Sequence, residues 1–230
     1  MRLCVIPARG GSKRIIKKNI KSFHGRPIIS YSIDNAIKCK LFDRVIVSTD
    51  NLLIAETAKE YGAEVPFLRP KKLSGDLTPT IPVIKHAINY YRARKIYFEE
   101  VCCIYATAPL LQISDLKKSF RLFNTKKWDF VFSATEYNYT VFRSFKKLKS
   151  NGIKMLFPKF YNSRSQDLEK IYHDAGQFYW GKTEAWVKEK KFFSKNTTFL
   201  NLPNWRVVDI DTVDDWLKAE KIFETMDQNY

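Results

Sequence analysis

Cysteine is scarce in this 230-residue chain, and its four cysteines follow no metal-binding or redox spacing. Three of them, Cys4, Cys102 and Cys103, stand inside apolar runs, where a free thiol behaves as a small core residue. The sequence therefore supports neither a zinc site nor a disulfide framework. We expect a protein that folds in a reducing compartment.

Long hydrophobic runs are also missing from the chain. A membrane-spanning helix needs about 20 consecutive apolar residues, and no segment approaches that length. The opening segment 1–7 is too short to be the apolar region of a signal peptide. We therefore expect a cytoplasmic, soluble protein with no membrane partner.

Acidic residues are few compared with basic ones, since 24 Asp and Glu stand against 40 Lys and Arg, for a net charge of +16. Such an excess attracts polyanions, so a nucleic-acid-binding protein without catalysis is one alternative. However, the basic residues are scattered in short groups such as Lys71-Lys72 and Lys117-Lys118, and no nucleic-acid-binding motif accompanies them. This distribution favours a small anionic substrate, and we expect no nucleic-acid partner.

Strand-like and helix-like segments alternate along the chain, which predicts an α/β fold with a mostly parallel sheet covered by helices on both faces. Strands are predicted at 3–6, 44–48, 101–106, 129–134, 178–181 and 207–210. Helices are predicted at 28–37, 52–61, 81–91, 114–123, 183–190 and 212–225. In the last helix we expect Trp216, Leu217 and Ile222 to be buried. The length fits a single domain, 1–230.

Residues 137 to 170 interrupt this alternation. The segment is rich in aromatic residues, Lys and Asn, and Gly152 and Pro158 break the helical period. We predict an insertion of short strands and loops. Its aromatic side chains either contact a partner subunit or pack within the insertion, and the sequence leaves both alternatives open. The residues concerned are Tyr139, Phe142, Phe145, Phe157, Phe160 and Tyr161.

A basic loop with two glycines directly follows the first predicted strand. It reads Pro7-Ala8-Arg9-Gly10-Gly11-Ser12-Lys13-Arg14 and continues to Lys17-Lys18-Asn19. The glycines let backbone amides approach an anion, and five cations surround the turn. The loop matches neither the Walker motif nor G-x-G-x-x-G. Its place after a strand's carboxyl end predicts phosphate binding, and an exposed basic turn is the alternative.

Asp209 and Asp211 form the second candidate site. If residues 207–210 form a strand, the two carboxylates share one face, because side chains alternate along a strand. Two such carboxylates repel each other unless a cation lies between them, and magnesium prefers oxygen ligands. The pattern therefore predicts a magnesium site. An equally good alternative makes Asp211 the N-cap of the last helix, with Asp214 as its acidic capping partner.

The polar segments between these two sites give weaker signals. The loop after Arg69 has hydroxyl groups suited to a pyrimidine edge, but the residues alone favour a helix cap at Thr78 or Thr80. Asp50 is predicted to cap the helix that follows the second strand. His173 and Asp174 resemble an acid–base pair, yet neighbours in a strand point in opposite directions.

The ordered motifs together resemble one protein family. They are I-P-A-R-G-G-S-K-R at 6–14 with K-N at 18–19, V-S-T-D at 47–50, F-L-R-P at 67–70 and D-I-D-T-x-x-D-W at 209–216. This set is similar to the acylneuraminate cytidylyltransferase family. Its pseudaminic acid branch is resembled by Y-A-T-A-P at 105–109, R-S-Q-D at 164–167 and H-D-A-G-Q-F-Y-W at 173–180. Sialic acid enzymes of the family usually carry Q-P-T-S-P in place of 105–109.

The resemblance implies a Rossmann-like nucleotide-diphosphosugar transferase fold, CTP as co-substrate and Mg²⁺ as cofactor. It also implies a homodimer, for which the insertion supplies the exchange surface. The implied CTP site comprises Ala8, Arg9, Gly10, Gly11, Ser12, Lys13, Lys18, Asn19, Arg69 and Thr80. The implied sugar site comprises Tyr105, Thr107, Arg164, Gln166, His173, Asp174 and Gln177. Asp209 and Asp211 match the metal pair, and the catalytic roles fall to Arg9, Lys18 and Asp211.

The reaction implied by the resemblance is an in-line displacement. The anomeric hydroxyl of a nonulosonic acid attacks the α-phosphorus of CTP, and pyrophosphate leaves. Positioning and charge neutralisation carry most of the rate in such reactions. Arg164 is the expected partner of the sugar carboxylate. Pseudaminic acid, activated for surface-glycan or flagellin glycosylation, is the favoured acceptor, and legionaminic, N-acetylneuraminic and 3-deoxy-octulosonic acid are the alternatives.

Overall fold

Helices and strands fill most of the chain in alternation. The computed structural model describes residues 1–126 and 128–227. The strands are β1 (Arg2–Pro7), β2 (Ser22–Phe23), β3 (Arg26–Pro27), β4 (Arg44–Ser48), β5 (Glu100–Ile104), β6 (Phe130–Glu136), β7 (Phe145–Lys147), β8 (Ile153–Met155), β9 (Tyr172–Lys182) and β10 (Thr197–Asn201). The helices are α1 (Ile28–Lys38), α2 (Leu52–Glu60), α3 (Thr80–Arg92), α4 (Ile113–Phe123), α5 (Thr183–Val187) and α6 (Val213–Asp227).

The central sheet has six strands in the order β10-β6-β9-β5-β1-β4. Its pairs β1/β4, β1/β5 and β6/β10 are parallel, whereas β9 runs antiparallel to both of its neighbours. The predicted α/β class with a mostly parallel sheet is therefore confirmed. None of the described helices is long and apolar enough to cross a membrane.

Alternation along β1 explains why both faces of the sheet are covered by helices. Cys4 and Ile6 point to one face, where they join a core formed with α1, α2 and α4. Leu3 and Val5 point to the other face and pack with α3 and α5. All four cysteines are free and buried, and burial raises the pKa of the Cys4 and Cys102 thiols. They serve as small core residues, as predicted for Cys4, Cys102 and Cys103.

The predicted strand at 207–210 is wrong. The last strand of the sheet is β10, which pairs in parallel with β6 along its whole length. A single 3₁₀ turn, Asn204–Arg206, follows it, and residues 207–212 then continue without sheet pairing. The apolar residues that suggested a strand have another use, since Ile210 is buried in a separate core. Conversely, β9 begins at Tyr172, six residues before the predicted start at 178.

This separate core joins α6 to the start of the chain. Ile15, Phe23, Ile210 and Trp216 are buried in it together. The ring of Phe23 makes an edge contact with Trp216, with 5.5 Å between the centroids. The core therefore holds the basic loop beside residues 207–212. Burial of Trp216 was predicted correctly, but Leu217 is half exposed.

The insertion at 137–170 is built of short elements, as predicted. Strands β7 and β8 form an antiparallel pair that is separate from the central sheet. Phe142 packs against Phe157 and Phe160, so part of the aromatic set packs within the insertion. Tyr139 and Tyr161 instead are 88% and 71% exposed. The prediction that such side chains contact a partner subunit stays a prediction.

A buried ion pair fixes the chain just before residues 207–212. Arg206 donates two hydrogen bonds to the carboxylate of Asp115 at 2.6 and 2.7 Å. The side chains are only 6% and 4% exposed. The backbone oxygen of Arg206 also accepts a hydrogen bond from Gln177 Nε2 at 3.5 Å. One arginine thus connects the turn before Asp209 to α4 and β9.

We expect Arg206→Ala to destabilise the fold strongly, because it leaves the Asp115 carboxylate buried without its cation. The expected loss in the free energy of unfolding is about 3–5 kcal/mol, measured by urea denaturation. Arg164→Ala is the control, since its ion pair with Asp167 is exposed and a change below about 1 kcal/mol is expected. Equal small losses in both variants would contradict a structural role for the buried pair.

Candidate active site

One cleft lies where β1 and β5 end, at the carboxyl edge of the parallel strands. Ligands bind at this edge in open α/β sheets. The cleft brings together residues that the sequence analysis assigned from distant segments, namely Arg9, Ser12, Lys13, Lys18, Asn19, Arg69, Thr80, Tyr105, Thr107 and Asp211. Two residues that the sequence did not single out, Asp76 and Val83, also line it.

The basic loop is anchored to the neighbouring strand β4. The backbone amide of Ala8 donates to Ser48 O, and that of Gly10 donates to Asp50 Oδ1, both at 2.9 Å. A side chain at Gly10 would meet Asn51, because an added Cβ would lie 3.0 Å from it. Asn51, and not Asp50, caps α2 by accepting from Ile54 N. The predicted capping role of Asp50 is therefore wrong.

Asp76 forms ion pairs with two cations of the basic loop, Arg9 and Lys13. Its carboxylate accepts a short hydrogen bond from Arg9 and forms an ion pair with Lys13 at 2.5 Å. Hydrogen bonds from Lys13 and Arg9 lower the pKa of Asp76, so the carboxylate stays charged. Asp76 therefore contacts the same cations that were predicted to bind phosphate.

Arg69 is a buried cation at the cleft wall. Its side chain is 4% exposed and lies 4.0 Å from Asp50 Oδ1. Burial lowers the pKa of Arg69, while the charge of Asp50 opposes this effect. Within the described residues, Arg69 Nε has no hydrogen-bond partner. A buried guanidinium with an unused donor is suited to a polar ligand in the cleft.

Thr80 opens α3, but it does not cap the helix. The N-cap position is Pro79, and no side chain there accepts a hydrogen bond. Thr80 Oγ1 lies 2.8 Å from the hydroxyl oxygen of Tyr105 instead. A cap at Thr78 or Thr80, which the residues alone favoured, is therefore wrong, and Thr80 is part of the cleft wall.

Asp211 faces the inner half of the basic loop. One carboxylate oxygen lies 2.8 Å from Arg14 Nη2, and the other lies 3.2 Å from Lys18 Nζ. Thr212 and Asp215 cap α6 reciprocally, since Asp215 N donates to Thr212 Oγ1 and Thr212 N donates to Asp215 Oδ2. The alternative that made Asp211 the N-cap is therefore wrong. Its carboxylate remains available to the cleft.

Asp209 lies near Asp211 although no strand aligns them. Desolvation, and after it the charge of Asp211, raise the pKa of Asp209. Asp209 is nevertheless an exposed residue, so this repulsion indicates proximity more than deep burial. No ion pair holds Asp209 within residues 1–126 and 128–227. Asp209 and Asp211 thus offer neighbouring carboxylate oxygens, the type of ligand that Mg²⁺ prefers.

The predicted sugar residues on β9 are not among the residues that line the cleft, and Gln177 contacts the cleft wall through its backbone. The amide of Tyr105 donates to Gln177 O at 2.9 Å, which joins β9 to the cleft wall. Asp174 accepts a short hydrogen bond from the Tyr179 hydroxyl. His173 is turned to the other side, where its ring meets Tyr137 with 4.6 Å between the centroids. The two neighbours thus diverge, as expected in a strand.

Arg164 and Gln166 do not reach this cleft within the chain. They lie at the 3₁₀ turn Ser165–Asp167 of the insertion. Arg164 pairs with Asp167 at 2.7 Å and is 72% exposed. Gln166 lines a separate shallow pocket beside Tyr137. The structure therefore unites the predicted CTP residues but leaves these two sugar residues apart from them.

Comparison with known proteins identifies the family. The family model described as "Cytidylyltransferase" matches residues 3–219. The chain belongs to the cytidylyltransferase family. It is 46% identical over 222 residues to "Pseudaminic acid cytidylyltransferase" of Campylobacter jejuni, with 96% of each chain covered. It is 30% identical over 230 residues to "CMP-N,N'-diacetyllegionaminic acid synthase" of Legionella pneumophila, again with 96% of each chain covered.

A solved structure with the same fold shares little sequence with this cytidylyltransferase. It is a CMP:2-keto-3-deoxy-manno-octonic acid synthetase complexed with CTP, and it aligns with a TM-score of 0.69 at 13% identity. The alignment covers 98% of this chain and 99% of the other. At this identity the likeness establishes the fold, and the expected nucleotidyltransferase architecture is confirmed. The family establishes CTP as the substrate of this cytidylyltransferase.

Sequence reasoning missed two carboxylates of this cytidylyltransferase, one that anchors the basic loop and one that lines the cleft. Asp50, which accepts from the Gly10 amide, had a usable signal, because it closely follows the second predicted strand. Asp76 had none, since it is exposed and separated from Arg9 by 67 residues. Its role becomes visible only when the fold brings its loop onto the basic loop.

We expect Asp211→Asn to lower turnover by about 100-fold or more without melting the protein, since Asp211 does not cap α6. Thr212→Ala is the matched variant, because it removes the cap and should cost about 1 kcal/mol of stability. Initial rates and thermal unfolding of both variants check this. An Asp211→Asn protein that unfolds early but keeps its turnover would restore the capping interpretation.

Proposed function

We propose that this cytidylyltransferase transfers CMP from CTP to the anomeric hydroxyl of pseudaminic acid and releases pyrophosphate. The observation that carries the proposal is the convergence of the basic loop, Arg69 and Asp211 on one cleft. The sugar follows from the 46% identity to a pseudaminic acid cytidylyltransferase, against 30% for the legionaminic acid enzyme. The Y-A-T-A-P segment at 105–109 supports the same choice.

The basic loop is the proposed triphosphate site. Among the described residues, Asp76 is the one carboxylate that forms ion pairs with Arg9 and Lys13, and it is exposed, so a triphosphate can replace it. Gly10 and Gly11 let the backbone approach phosphate, with Ala8 and Ser12 on either side. Lys18 is held in place by Ile210 O at 2.5 Å. Arg9 and Lys18 would stabilise the charge that develops on the leaving pyrophosphate.

Asn19, Arg69 and Thr80 complete the nucleotide half. Asn19 is buried and donates to Arg9 O at 2.9 Å, which fixes the start of the loop. Arg69 offers its unused Nε donor to the cytosine or ribose. Each residue orients CTP, because in-line transfer needs the α-phosphorus aligned with the attacking oxygen.

Asp209 and Asp211 are the proposed holders of Mg²⁺. Bound there, the metal would neutralise charge on phosphate oxygens. Asp209 forms no ion pair among the described residues, whereas Asp211 shares its oxygens with Arg14 and Lys18. The lysine and arginine therefore keep Asp211 turned towards the phosphates.

Tyr105, Thr107 and the β9 residues His173, Asp174 and Gln177 form the proposed sugar half. Arg164 and Gln166 would reach a cleft from a second copy of the chain, since they are remote from their own. We therefore propose a homodimer joined through the insertion at 137–170, whose Tyr139 and Tyr161 are exposed. We further propose one domain, 1–230, and a cytoplasmic location, which the free buried cysteines support.

The test is pyrophosphate release by the purified protein with CTP and Mg²⁺, over a panel of nonulosonic acids. Release with pseudaminic acid is expected. Release only with legionaminic, N-acetylneuraminic or 3-deoxy-octulosonic acid would overturn the sugar assignment and keep the reaction. No release with any acid, together with salt-dependent oligonucleotide binding, would favour a nucleic-acid-binding protein instead.

Two variants test whether the activity measured in this panel depends on the cleft. Arg9→Ala removes a proposed triphosphate contact and should raise the KM for CTP by about tenfold or more. Arg94→Ala is the matched control, because Arg94 stacks on Tyr90 and does not line the cleft. An unchanged KM for CTP in Arg9→Ala would remove the phosphate role of Arg9.

A further inference from the structure

Two hydrogen bonds and one ring contact join the cleft wall to a carboxylate on β9. Thr80 Oγ1 lies 2.8 Å from the Tyr105 hydroxyl oxygen. The Tyr105 and Tyr179 rings pack against each other, with 5.4 Å between their centroids. The Tyr179 hydroxyl donates a short hydrogen bond to Asp174 Oδ2. These contacts connect the cleft wall to Asp174, one of the proposed sugar residues.

Of Thr80, Tyr105 and Tyr179, it is Tyr179 that is buried away from the cleft. Its side chain is 4% exposed, while Thr80 and Tyr105 line the cleft. Its ring stacks on Phe132, with 5.9 Å between centroids and 14° between planes. Packing thus fixes where the hydroxyl points. Burial, and then Tyr105 and Asp174, raise the pKa of Tyr179 well above its usual value, so the hydroxyl remains a donor.

Asp174 depends on neutral donors for its orientation. Within the described residues no Lys, Arg or His forms an ion pair with it. Its Oδ1 accepts from the Gly176 amide at 2.8 Å, and its Oδ2 accepts from Tyr179. Gly176 has a positive φ of 61°, a conformation that glycine adopts without strain. A carboxylate held by two fixed donors is pre-oriented for a ligand.

We propose that Tyr179 is a positioning residue for the sugar acid. Its hydroxyl fixes the Asp174 carboxylate, and its ring packs against Tyr105 of the cleft wall. The inference rests on the proposed function, in which Asp174 and Tyr105 contact the sugar. Loss of the Tyr179 hydroxyl leaves the hydrogen bond between the Thr80 and Tyr105 hydroxyl groups in place. The damage should therefore fall on the use of the sugar acid and spare CTP.

The test is Tyr179→Phe, which keeps the stacked ring and removes only the oxygen. We expect kcat/KM for the sugar acid to fall about tenfold, the order for one hydrogen bond to a charged group. CTP affinity, measured by titration calorimetry, should stay within about twofold. Tyr91→Phe is the control, because Tyr91 is buried at the far end of α3 and does not line the cleft. It should leave both quantities unchanged.

A double variant separates positioning from general damage to the core. If Tyr179 acts through Asp174, then Tyr179→Phe adds little to the loss already caused by Asp174→Asn. Multiplicative losses would overturn the inference, as would equal losses in CTP affinity and sugar use, or wild-type behaviour of Tyr179→Phe. A wild-type protein that turns over no acid removes the proposed function and this inference with it. Wild-type activity combined with an unaffected Tyr179→Phe removes the inference alone.

Discussion

The crowding of five cations onto one short loop, four of them in ion pairs, is the constraint on which the site depends. Arg9, Lys13, Arg14 and Lys18 lie within ten residues, between the end of β1 and the first residue of the 3₁₀ turn Lys18–Ile20. Asp76 forms ion pairs with the outer two, and Asp211 forms ion pairs with the inner two, so the loop keeps a net positive charge. Like charges held this close repel each other unless anions separate them. The ion pairs therefore give the loop its shape and mark where a triphosphate would bind.

Apolar packing places the carboxylates where the loop needs them. Residues 207–212 have no sheet pairing, so their position comes from anchors at either end. The buried pair of Arg206 and Asp115 holds the first end, and the cap formed by Thr212 and Asp215 holds the other. Between them Ile210 is buried in the same core as Ile15 of the basic loop. The packing of Ile210 with Ile15 thus also brings Asp211 to the cations of the basic loop.

Periodic patterns made most of the fold predictable from the sequence. Helices α1 to α4 and α6 and strands β1, β4 and β6 lie within a few residues of their predicted positions, because each buries one face or both. Two short apolar runs, 197–201 and 207–210, could each have formed the last strand, and pairing with β6 decided between them. Similarly, Asp50 and Asn51 both suit a helix N-cap. In the structure Asn51 caps α2, and Asp50 accepts from the Gly10 amide. Contacts such as that of Asp76 depend on the folded chain.

The most direct measurement is titration calorimetry of CTP and CMP with the wild-type protein and with Asp76→Asn. If the basic loop binds the triphosphate, CTP should bind at least about tenfold more tightly than CMP, since only CTP carries the two outer phosphates. Asp76→Asn removes the carboxylate that competes for Arg9 and Lys13, so it should strengthen CTP binding several-fold and leave CMP unchanged. Equal affinities for CTP and CMP, or weaker CTP binding in Asp76→Asn, would contradict the account.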